Sequence, residues 1–322
     1  MDKIKRKNFF IFDKYFNPLI YNEMKHKKSI LFSLMLLAFS SVVLGQMTIL
    51  SGSKQATQYR YAEDIANIVG PSLGFKIVNQ ETKGSSDNFN LLIEPDNFHK
   101  LAIIQADYLY YMQTHDMILN TEKTKNLKVL VPLGYEQIHL VTKASKGYKG
   151  LKDLDKKVVA IGSSDQGTYT TANLIKDRSR VFWSSRNIHF DDCLSALNTD
   201  KIDAFFIVSS APIAKLDLNP QTIVDKFVLI PLEDFNEWAR YYKKDIISKD
   251  AYKWIDSDVP TFSVGAVLVV NESKLSAEER NNVLKLKTAI QSKFEELKIS
   301  GHPTWKQVNL ADWNESDWPL YK

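Results

Sequence analysis

An α/β fold with mostly parallel sheets is predicted by two features of the sequence. Short β-prone runs alternate with helical patterns along most of the chain, namely FKIVNQ, LAIIQ, VLVPLG, QIHLVTK, KVVAIG, DAFFIV, FVLIPL and SVGAVLVV. The chain has 322 residues, of which 44% are hydrophobic and 25% charged, so it is globular in composition and long enough for two lobes of ordinary domain size.

The first 46 residues differ from the rest in charge and hydropathy. They carry eight Lys/Arg and three Asp/Glu, a net of +5, so the remainder of this +4 chain carries a net of −1. A basic stretch precedes the apolar residues 30–44, which end in small residues, and this order predicts a signal peptide cleaved after Gly45. A retained membrane anchor is the alternative, because the apolar run approaches the ~17 to 20 residues that span a bilayer. Met24 is an alternative start, and periplasmic export is expected either way.

Charge and residue spacing disfavour several classes of protein. The nearly neutral body has no Lys/Arg cluster, so no nucleic-acid partner is expected. The six histidines show no close metal-ligand spacing, so neither a metal site nor a cofactor is expected. Cys193 is the only cysteine, which excludes an internal disulfide, and its neighbours Leu194 and Leu197 indicate a buried helix face.

The first strand, MTIL, leads through the turn SGSKQAT into a helix. Apolar residues recur at helical spacing from Ala62 to Val69. Gly52 lets the backbone bend close to a bound group, and Ser53 or Thr57 is expected to cap the helix. An ordinary capped connection is the alternative interpretation of this turn.

The same kind of turn recurs twice. KGSSDNF places Gly84 before a short helix, and IGSSDQGT leads from Gly162 into a helix that begins near Thr168. Between them, the strand LAIIQ ends at Gln105 and is followed by Asp107. In open α/β sheets such turns meet at the carboxyl edge of the strands, where ligands bind.

The last long helix is predicted from SAEERNNVLKLKTAIQSKFEEL. Ser276 and Glu279 have the spacing of a capping box. The apolar face of this helix comprises Val283, Leu286, Ile290, Phe294 and Leu297.

The turns predict a site for a small anion or zwitterion, most simply a carboxylate, held by backbone N–H groups and hydroxyls. Their spacing matches neither G-x-x-x-x-G-K-[ST] nor G-x-G-x-x-G, so nucleotide phosphate is a weaker alternative. The candidate ligand-binding residues are Ser53, Gln55, Thr57, Tyr59, Ser85, Ser86, Asn88, Gln105, Asp107, Asp165, Gly167, Thr168, Tyr169 and Ser209. No nucleophile–base pair with suggestive spacing is present, so no catalytic residue is assigned.

Two of these candidates are acidic and have alternative roles. Asp107 either accepts a hydrogen bond from a ligand ammonium group or caps the helix that follows it. Asp165 would repel a carboxylate, so it is expected to turn outward or to bind an amino group. His139 lies on a strand that is expected to cross between lobes, where it either points into the cleft or packs in the core.

Six segments in order resemble the TAXI-type substrate-binding proteins of TRAP transporters. They are SGSKQATQYRYAEDIANIV, TKGSSDNFNLL, LAIIQADYLY, LKDLDKKVVAIGSSDQGTYTTA, LNTDKIDAFFIVSSAP and GHPTWKQV. The resemblance covers nearly all of residues 47–310. The first loop departs from the family pattern, which has more glycine where this chain has Lys54, Gln55 and Ala56. The longer side chains predict a smaller or differently charged pocket than is typical of the family.

The resemblance implies a two-lobed type II periplasmic binding protein fold, in which each lobe is a mostly parallel sheet flanked by helices. Two hinge strands, EQIHLVTK and TFSVGAVLVV, would join the lobes. Lobe one would comprise residues 47–137 and 264–322, lobe two would comprise residues 138–263, and residues 1–46 would precede them.

The resemblance also implies a function. The chain would be an exported, monomeric, non-enzymatic protein that captures a dicarboxylate, a 2-oxoacid or a glutamate-like amino acid. It would deliver this ligand to TRAP transporter membrane subunits. A ligand sensor that signals to a kinase, or an enzyme on the same scaffold, are the alternatives.

Overall fold

The computed structural model describes residues 45–218, 226–313, 315 and 318–322. The basic extension, the alternative start at Met24 and the apolar segment predicted as signal peptide or anchor lie outside the described residues. Within the described part of the chain, no helix is both long enough and apolar enough to span a bilayer.

Strands and helices alternate through the first third of the described chain, as the sequence predicts. Helix α1 continues through a π-helical segment, Ile65–Val69. The elements are β1 (Gln46–Leu50), α1 (Thr57–Asp64), β2 (Lys76–Gln80), α2 (Ser85–Ile93), β3 (Leu101–Gln105) and α3 (Ala106–Leu119).

The remaining elements include two long strands, β4 and β10, separated by a second α/β region. They are β4 (Leu127–Lys143), β5 (Val158–Ala160), α4 (Gly167–Ser179), β6 (Ser184–Arg186), α5 (Phe190–Asn198), β7 (Ala204–Ser209), β8 (Phe227–Leu229), β9 (Lys243–Ile247), β10 (Val259–Asn271), α6 (Ala277–Ser292) and α7 (Phe294–Ser300).

The strands form one continuous sheet in the order β2-β1-β3-β10-β4-β7-β5-β6. The parallel set β1 to β3 lies at one end, and the parallel set β5 to β7 lies at the other. Strands β4 and β10 pair with each other between the two sets, and both run antiparallel to their outer neighbours. Because of these two strands, the sheet is mixed and not mostly parallel.

The long strands divide the molecule into two lobes. Up to Gln137, β4 pairs with β10, with one further bridge from Val129 to Leu320, whereas from Gln137 to Thr142 it pairs with β7. We call the part that holds β1 to β3, α1 to α3, α6 and α7 lobe one, and the part that holds β5 to β9, α4 and α5 lobe two. This is the two-lobed architecture that the resemblance implies.

Each lobe has a hydrophobic cluster on either face of its part of the sheet. Burial of these apolar side chains is the main force that holds each lobe together. The clusters are centred on Ile65, Leu286 and Trp305 and on Phe89 and Leu109 in lobe one, and on Leu154, Ile175 and Trp238 and on Cys193 and Phe205 in lobe two.

Some elements differ from the sequence prediction. VLVPLG and QIHLVTK are one strand, β4, and the last helix is interrupted at Lys293 to give α6 and α7. The capping box of Ser276 and Glu279 at the start of α6 is confirmed. All residues of the predicted apolar face are fully buried except Phe294, which is partly buried.

Candidate functional site

A cavity of about 180 Å³ lies where the two lobes face each other. It is smaller than the roughly 300 Å³ at which pockets for drug-sized molecules begin, so it suits a small solute. Lobe one contributes the turn between β1 and α1, the first turn of α1, the turn before α2, the end of β3 and one residue of β4. Lobe two contributes the turns before α4 and α5, the end of β7 and the loop after it.

Five helices begin at or beside this cavity. In α5 the His189 side chain caps the helix by accepting from the Asp191 N–H (3.4 Å), whereas the N-cap side chains of the other four make no capping hydrogen bond. These four N-cap residues are Ala56 of α1, Gly84 of α2, Gln105 of α3 and Gln166 of α4. The first N–H groups of a helix have no partner within the helix, and the helix dipole is positive at this end. Uncapped helix N-termini that meet at a cavity are well suited to bind an anion.

The prediction that Ser53 or Thr57 caps α1 is wrong. The N-cap residue is Ala56, because the chain turns sharply there through a hydrogen bond from the Ala56 N–H to the Ser53 carbonyl (2.8 Å). Thr57 instead reaches lobe two: its Oγ1 lies 3.3 Å from Ser209 Oγ and accepts a hydrogen bond from the Ser210 N–H (3.3 Å).

Glu136 lies in the cavity wall at the middle of β4, where it is 2% exposed. Its Oε2 accepts hydrogen bonds from Gln58 Nε2 (3.2 Å) and Gln105 Nε2 (3.0 Å). Burial raises the pKa of Glu136 to about 7, although these two amide donors oppose the shift. A buried carboxyl group with so strongly perturbed a pKa in a cleft marks a candidate functional site.

Gln105 connects this carboxyl group to lobe two. Its Nε2 is bonded to Glu136, and its buried Oε1 has no hydrogen-bond partner among the described residues. The Oε1 atom lies so close to Gly167 that a Cβ at position 167 would be 1.6 Å away from it. A side chain at position 167 would therefore displace the Gln105 side chain where α4 begins.

The turns of the two lobes also contact each other directly. Lys83 Nζ lies 3.0 Å from Asp165 Oδ2, and the Asp87 N–H donates to the Asp165 carbonyl oxygen (3.4 Å). Asp165 therefore pairs across the mouth of the cleft. The structure represents a closed arrangement of the lobes.

Asp107 forms a second contact between the lobes. Its Oδ2 accepts hydrogen bonds from Thr171 Oγ1 (2.6 Å) on α4 and from Tyr242 Oη (3.1 Å), while its Oδ1 is buried without a partner among the described residues. Burial raises the pKa of Asp107 to about 6. The side chain does not cap α3, and it does not line the cavity.

Four further candidates lie behind the cavity wall. Asn88 is buried and donates to the carbonyl oxygens of Ser51 (2.6 Å) and Ile103 (2.7 Å), so it ties α2 to the ends of β1 and β3. Ser86 Oγ accepts from Tyr108 Oη (3.0 Å). The other two, Tyr59 and Tyr169, are half-buried and contribute no atom to the wall.

The cavity thus brings together half of the residues predicted from the turns. Those that line it are Ser53, Gln55, Ser85, Gln105, Gly167, Thr168 and Ser209. Those that do not are Thr57, Tyr59, Ser86, Asn88, Asp107, Asp165 and Tyr169.

Sequence reasoning missed several residues of the cavity wall. Gln58 follows the first turn, and Glu136 is the only acid in the apolar run VLVPLGYEQIHLV. That isolated acid is the signal that marks the strand. Lys83 and Lys215 are the lysines of the wall, and Lys215 pairs with Asp191 as Lys83 pairs with Asp165.

His139 and Cys193 are structural in this arrangement. His139 is buried in β4 beside Tyr252, whose Oη lies 3.0 Å from His139 Nε2, and burial lowers the pKa of His139 to about 4. Cys193 touches the cavity, but burial raises its pKa to about 12, so the thiol is not activated as a nucleophile. Among the described residues, no three or more His, Cys, Asp or Glu side chains are grouped as metal ligands would be.

Solved structures of binding proteins resemble this chain at low identity. The substrate-binding protein of an amino acid ABC transporter is 13% identical, with 81% of this chain and 96% of that chain covered and a TM-score of 0.47. Another such protein, from Streptococcus pneumoniae and bound to L-arginine, is 14% identical over 81% of this chain and 91% of that chain, with a TM-score of 0.46. An ancestral arginine-binding protein bound to arginine is 14% identical over 82% of this chain and 96% of that chain, with a TM-score of 0.47.

The family assignment comes from a match over most of the chain. The model of the NMT1-like family matches residues 49–318, which include both lobes and every residue of the cavity wall. The chain therefore belongs to the NMT1-like family of type II periplasmic binding proteins.

Proposed function

We propose that this chain is an exported solute-binding protein that captures a small carboxylate-bearing ligand between its lobes. The ligand would be an organic acid or an amino acid, and a TRAP-type membrane transporter would receive it. The observation that carries the proposal is the meeting of uncapped helix N-termini from both lobes at one small cavity. These helices offer N–H groups and positive dipole ends to a carboxylate.

The backbone supplies the main donors in this proposal, because several hydroxyl groups of the wall already have protein partners. Ser85 Oγ accepts from the Gln105 N–H (3.0 Å), and Thr168 Oγ1 accepts from the Val208 N–H (3.1 Å). Ser53 and Gln55 also line the cavity, and neither side chain is hydrogen-bonded to another of the described residues, so both would be available to a ligand. Thr57, Asp107 and Asp165 would act by holding the lobes closed.

Closure would occur by bending of the two long strands, with the lobes bounded as the sequence predicts (47–137 with 264–322, and 138–263). Support comes from the irregular backbone where β4 and β10 cross between the lobes. The pairing of these strands shifts register between Gly265 and Val267, and Gly265 lies opposite Tyr135. A hinge of this kind lets solute enter and leave the cleft.

Assignment to TRAP-type uptake rests on the six ordered motifs that resemble the TAXI family. A non-enzymatic role is consistent with membership of a family of binding proteins. The N-terminal 46 residues, with their basic and then apolar composition, supply the export signal in this proposal.

Calorimetry of the full chain tests the proposal. A panel of dicarboxylates, 2-oxoacids and L-amino acids should contain at least one compound that binds with a stoichiometry of one. The radius of gyration measured by small-angle scattering should not increase on binding, since the ligand stabilises the closed form. A folded sample that binds no member of the panel would contradict the proposal.

A further inference from the structure

We infer that the ligand carries an ammonium group as well as a carboxylate, and that Glu136 and Gln105 Oε1 bind this ammonium group. The ligand class is then a small amino acid in its zwitterionic form, and not a dicarboxylate or a 2-oxoacid. This inference rests on the proposed function and narrows it.

The first argument is the set of free acceptors in the cavity wall. Both hydrogen bonds to Glu136 end on Oε2, and none reaches its Oε1 from the residues that the structure describes. Gln105 Oε1 is fully buried and has no hydrogen-bond partner among the described residues. Buried acceptors almost always have a donor, and an ammonium group has three N–H donors and no acceptor.

The orientation of the two amide groups supports this assignment. An ionised carboxylate only accepts hydrogen bonds, so Gln58 and Gln105 must turn their NH₂ groups toward Glu136. Gln105 Oε1 then has to face away from Glu136, toward Gly167, which is also a residue of the cavity wall. The two amides hold the carboxylate in place, but they add no positive charge.

The second argument is the balance of charge in the wall. Lys83 is paired with Asp165, and Lys215 is paired with Asp191, to which His189 Nδ1 is also close (3.8 Å). Within the described ranges, Glu136 therefore faces the cavity with no cationic partner. A buried ionised carboxylate is costly unless it is paired, and a ligand ammonium group would pair it.

The third argument is the arrangement of opposite charges. The positive N-terminal ends of α1, α2 and α4 offer one position for a carboxylate, and Glu136 with Gln105 Oε1 offers another for a cation. A second carboxylate, or the keto oxygen of a 2-oxoacid, would lie against these acceptors and be repelled. Only a zwitterion satisfies both ends.

Calorimetry with matched pairs of compounds tests the inference. The wild-type chain is titrated with each common L-amino acid and with the 2-oxoacid and 2-hydroxyacid that carry the same side chain. The best amino acid should bind about ten-fold or more tightly than its two counterparts, because a hydrogen-bonded charge pair is lost in them. Equal or tighter binding of a 2-oxoacid would overturn the inference and leave the proposed function intact, whereas a complete absence of binding would overturn both.

The variant Glu136→Gln provides the second test, because it keeps the size of the side chain and removes its charge. Binding of the best amino acid should weaken about ten-fold or more, while binding of the matched 2-oxoacid should stay the same or improve. Glu122→Gln is the control, since Glu122 is an exposed acid of lobe one that pairs with Lys125. An unchanged affinity of Glu136→Gln for the amino acid, in a sample that unfolds as cooperatively as the wild type, would overturn the inference.

Discussion

Four of the helices that begin at the cavity, α1 to α4, differ from α6, which begins far from it. Helix α6 opens with a full capping box, in which Ser276 Oγ accepts from the Glu279 N–H (3.3 Å) and Glu279 Oε2 accepts from the Ser276 N–H (2.9 Å). Helices α1, α2, α3 and α4 begin at Ala56, Gly84 and two glutamines that make no capping bond. At α6 the N-terminus is satisfied by side chains of the protein, whereas at these four helices of the cleft no side chain caps it, so their N–H groups can serve a ligand.

The two regions also shift the pKa of a glutamate in opposite directions. Burial tends to raise the pKa of Glu279, but hydrogen bonds from Lys100 and Ser276 outweigh it, so that this pKa is lowered. Among the described residues the donors to Glu136 are neutral amides, and burial raises its pKa. The charged form of Glu279 is therefore stabilised by its partners, whereas the charged form of Glu136 is not.

The largest expected effect is on the pH dependence of stability. The pKa of Glu136 is about 7 in the folded protein against 4.5 in the unfolded chain, so the folded state binds more protons between these values. The free energy of unfolding should therefore fall as the pH rises from 4.5 through 7, by about 3 kcal/mol from this group. Glu136→Gln should remove that part of the slope in ligand-free protein, which urea unfolding at a series of pH values measures.

Asp107 contributes a smaller change of the same sign in both proteins, since its pKa is raised from 3.8 to about 6. The comparison of wild type with variant removes this common part, and only the repulsion between the Asp107 and Glu136 charges, which raises the pKa of Glu136, stays in the difference. Parallel stability profiles for the two proteins would show that Glu136 is charged without penalty in the empty cleft.

The next effect in size concerns Gly167→Ala, which adds a methyl group where α4 meets Gln105. The new Cβ would lie 1.6 Å from Gln105 Oε1, so the Gln105 side chain must move and give up its bond to Glu136 (3.0 Å). Ligand binding should weaken by about 1 to 3 kcal/mol, the usual cost of a group forced into a packed site. The measurement is calorimetry with the tightest compound of the amino-acid and 2-oxoacid panel.

Gly150→Ala is the matched control for this substitution. Gly150 has extended backbone and no atom within 4 Å of an added Cβ, so its substitution should leave binding unchanged. Equal behaviour of the two variants would mean that the lobes do not approach each other at Gly167 when the ligand is bound.

The local sequence predicts a strand or helix of this fold correctly where its apolar pattern ends clearly at both sides. LAIIQ became β3 with the expected ends, because the run is apolar throughout and a helix follows at once. The sequence pattern predicts two strands in place of β4, because Gly134, Tyr135 and Glu136 interrupt its apolar residues. That interruption is the crossing between the lobes and not a turn. β6 and β9, with the sequences SSR and KKDII, carry no pattern that distinguishes a strand from a loop.

The site was predictable only as far as it is made of turns. Ser53, Ser85 and Gly167 follow strands in recognisable loops, and all three line the cavity. Glu136 lies in the interior of a strand, and its partners come from a helix and from the end of another strand. Asp107 was read as a ligand contact or a cap, but its partner Thr171 is 64 residues away, and no local pattern reveals such a pair.

Removing the cap of α6 should cost less than the changes in the cleft. Ser276→Ala deletes one acceptor of the capping box and should lower the free energy of unfolding by about 1 kcal/mol. Because α6 packs on the outer face of lobe one, ligand affinity should not change. Thermal unfolding and calorimetry on the same sample measure both quantities. A loss of affinity would mean that stability of α6 is coupled to the cleft.

The smallest effect tests the converse, which is to give a cleft helix the cap that it lacks. Ala56→Ser places a hydroxyl at the N-cap of α1, where the backbone already has the extended conformation of a capping residue (φ −80°, ψ 148°). The ligand-free protein should gain about 0.5 kcal/mol of stability, because one free N–H group finds an acceptor. The same N–H group is then occupied, so the carboxylate of the ligand must compete for it and affinity should fall by a similar amount. A gain in stability together with a gain in affinity would show that the N-terminus of α1 does not hold the anion, and that the contrast between capped and uncapped helices has another origin.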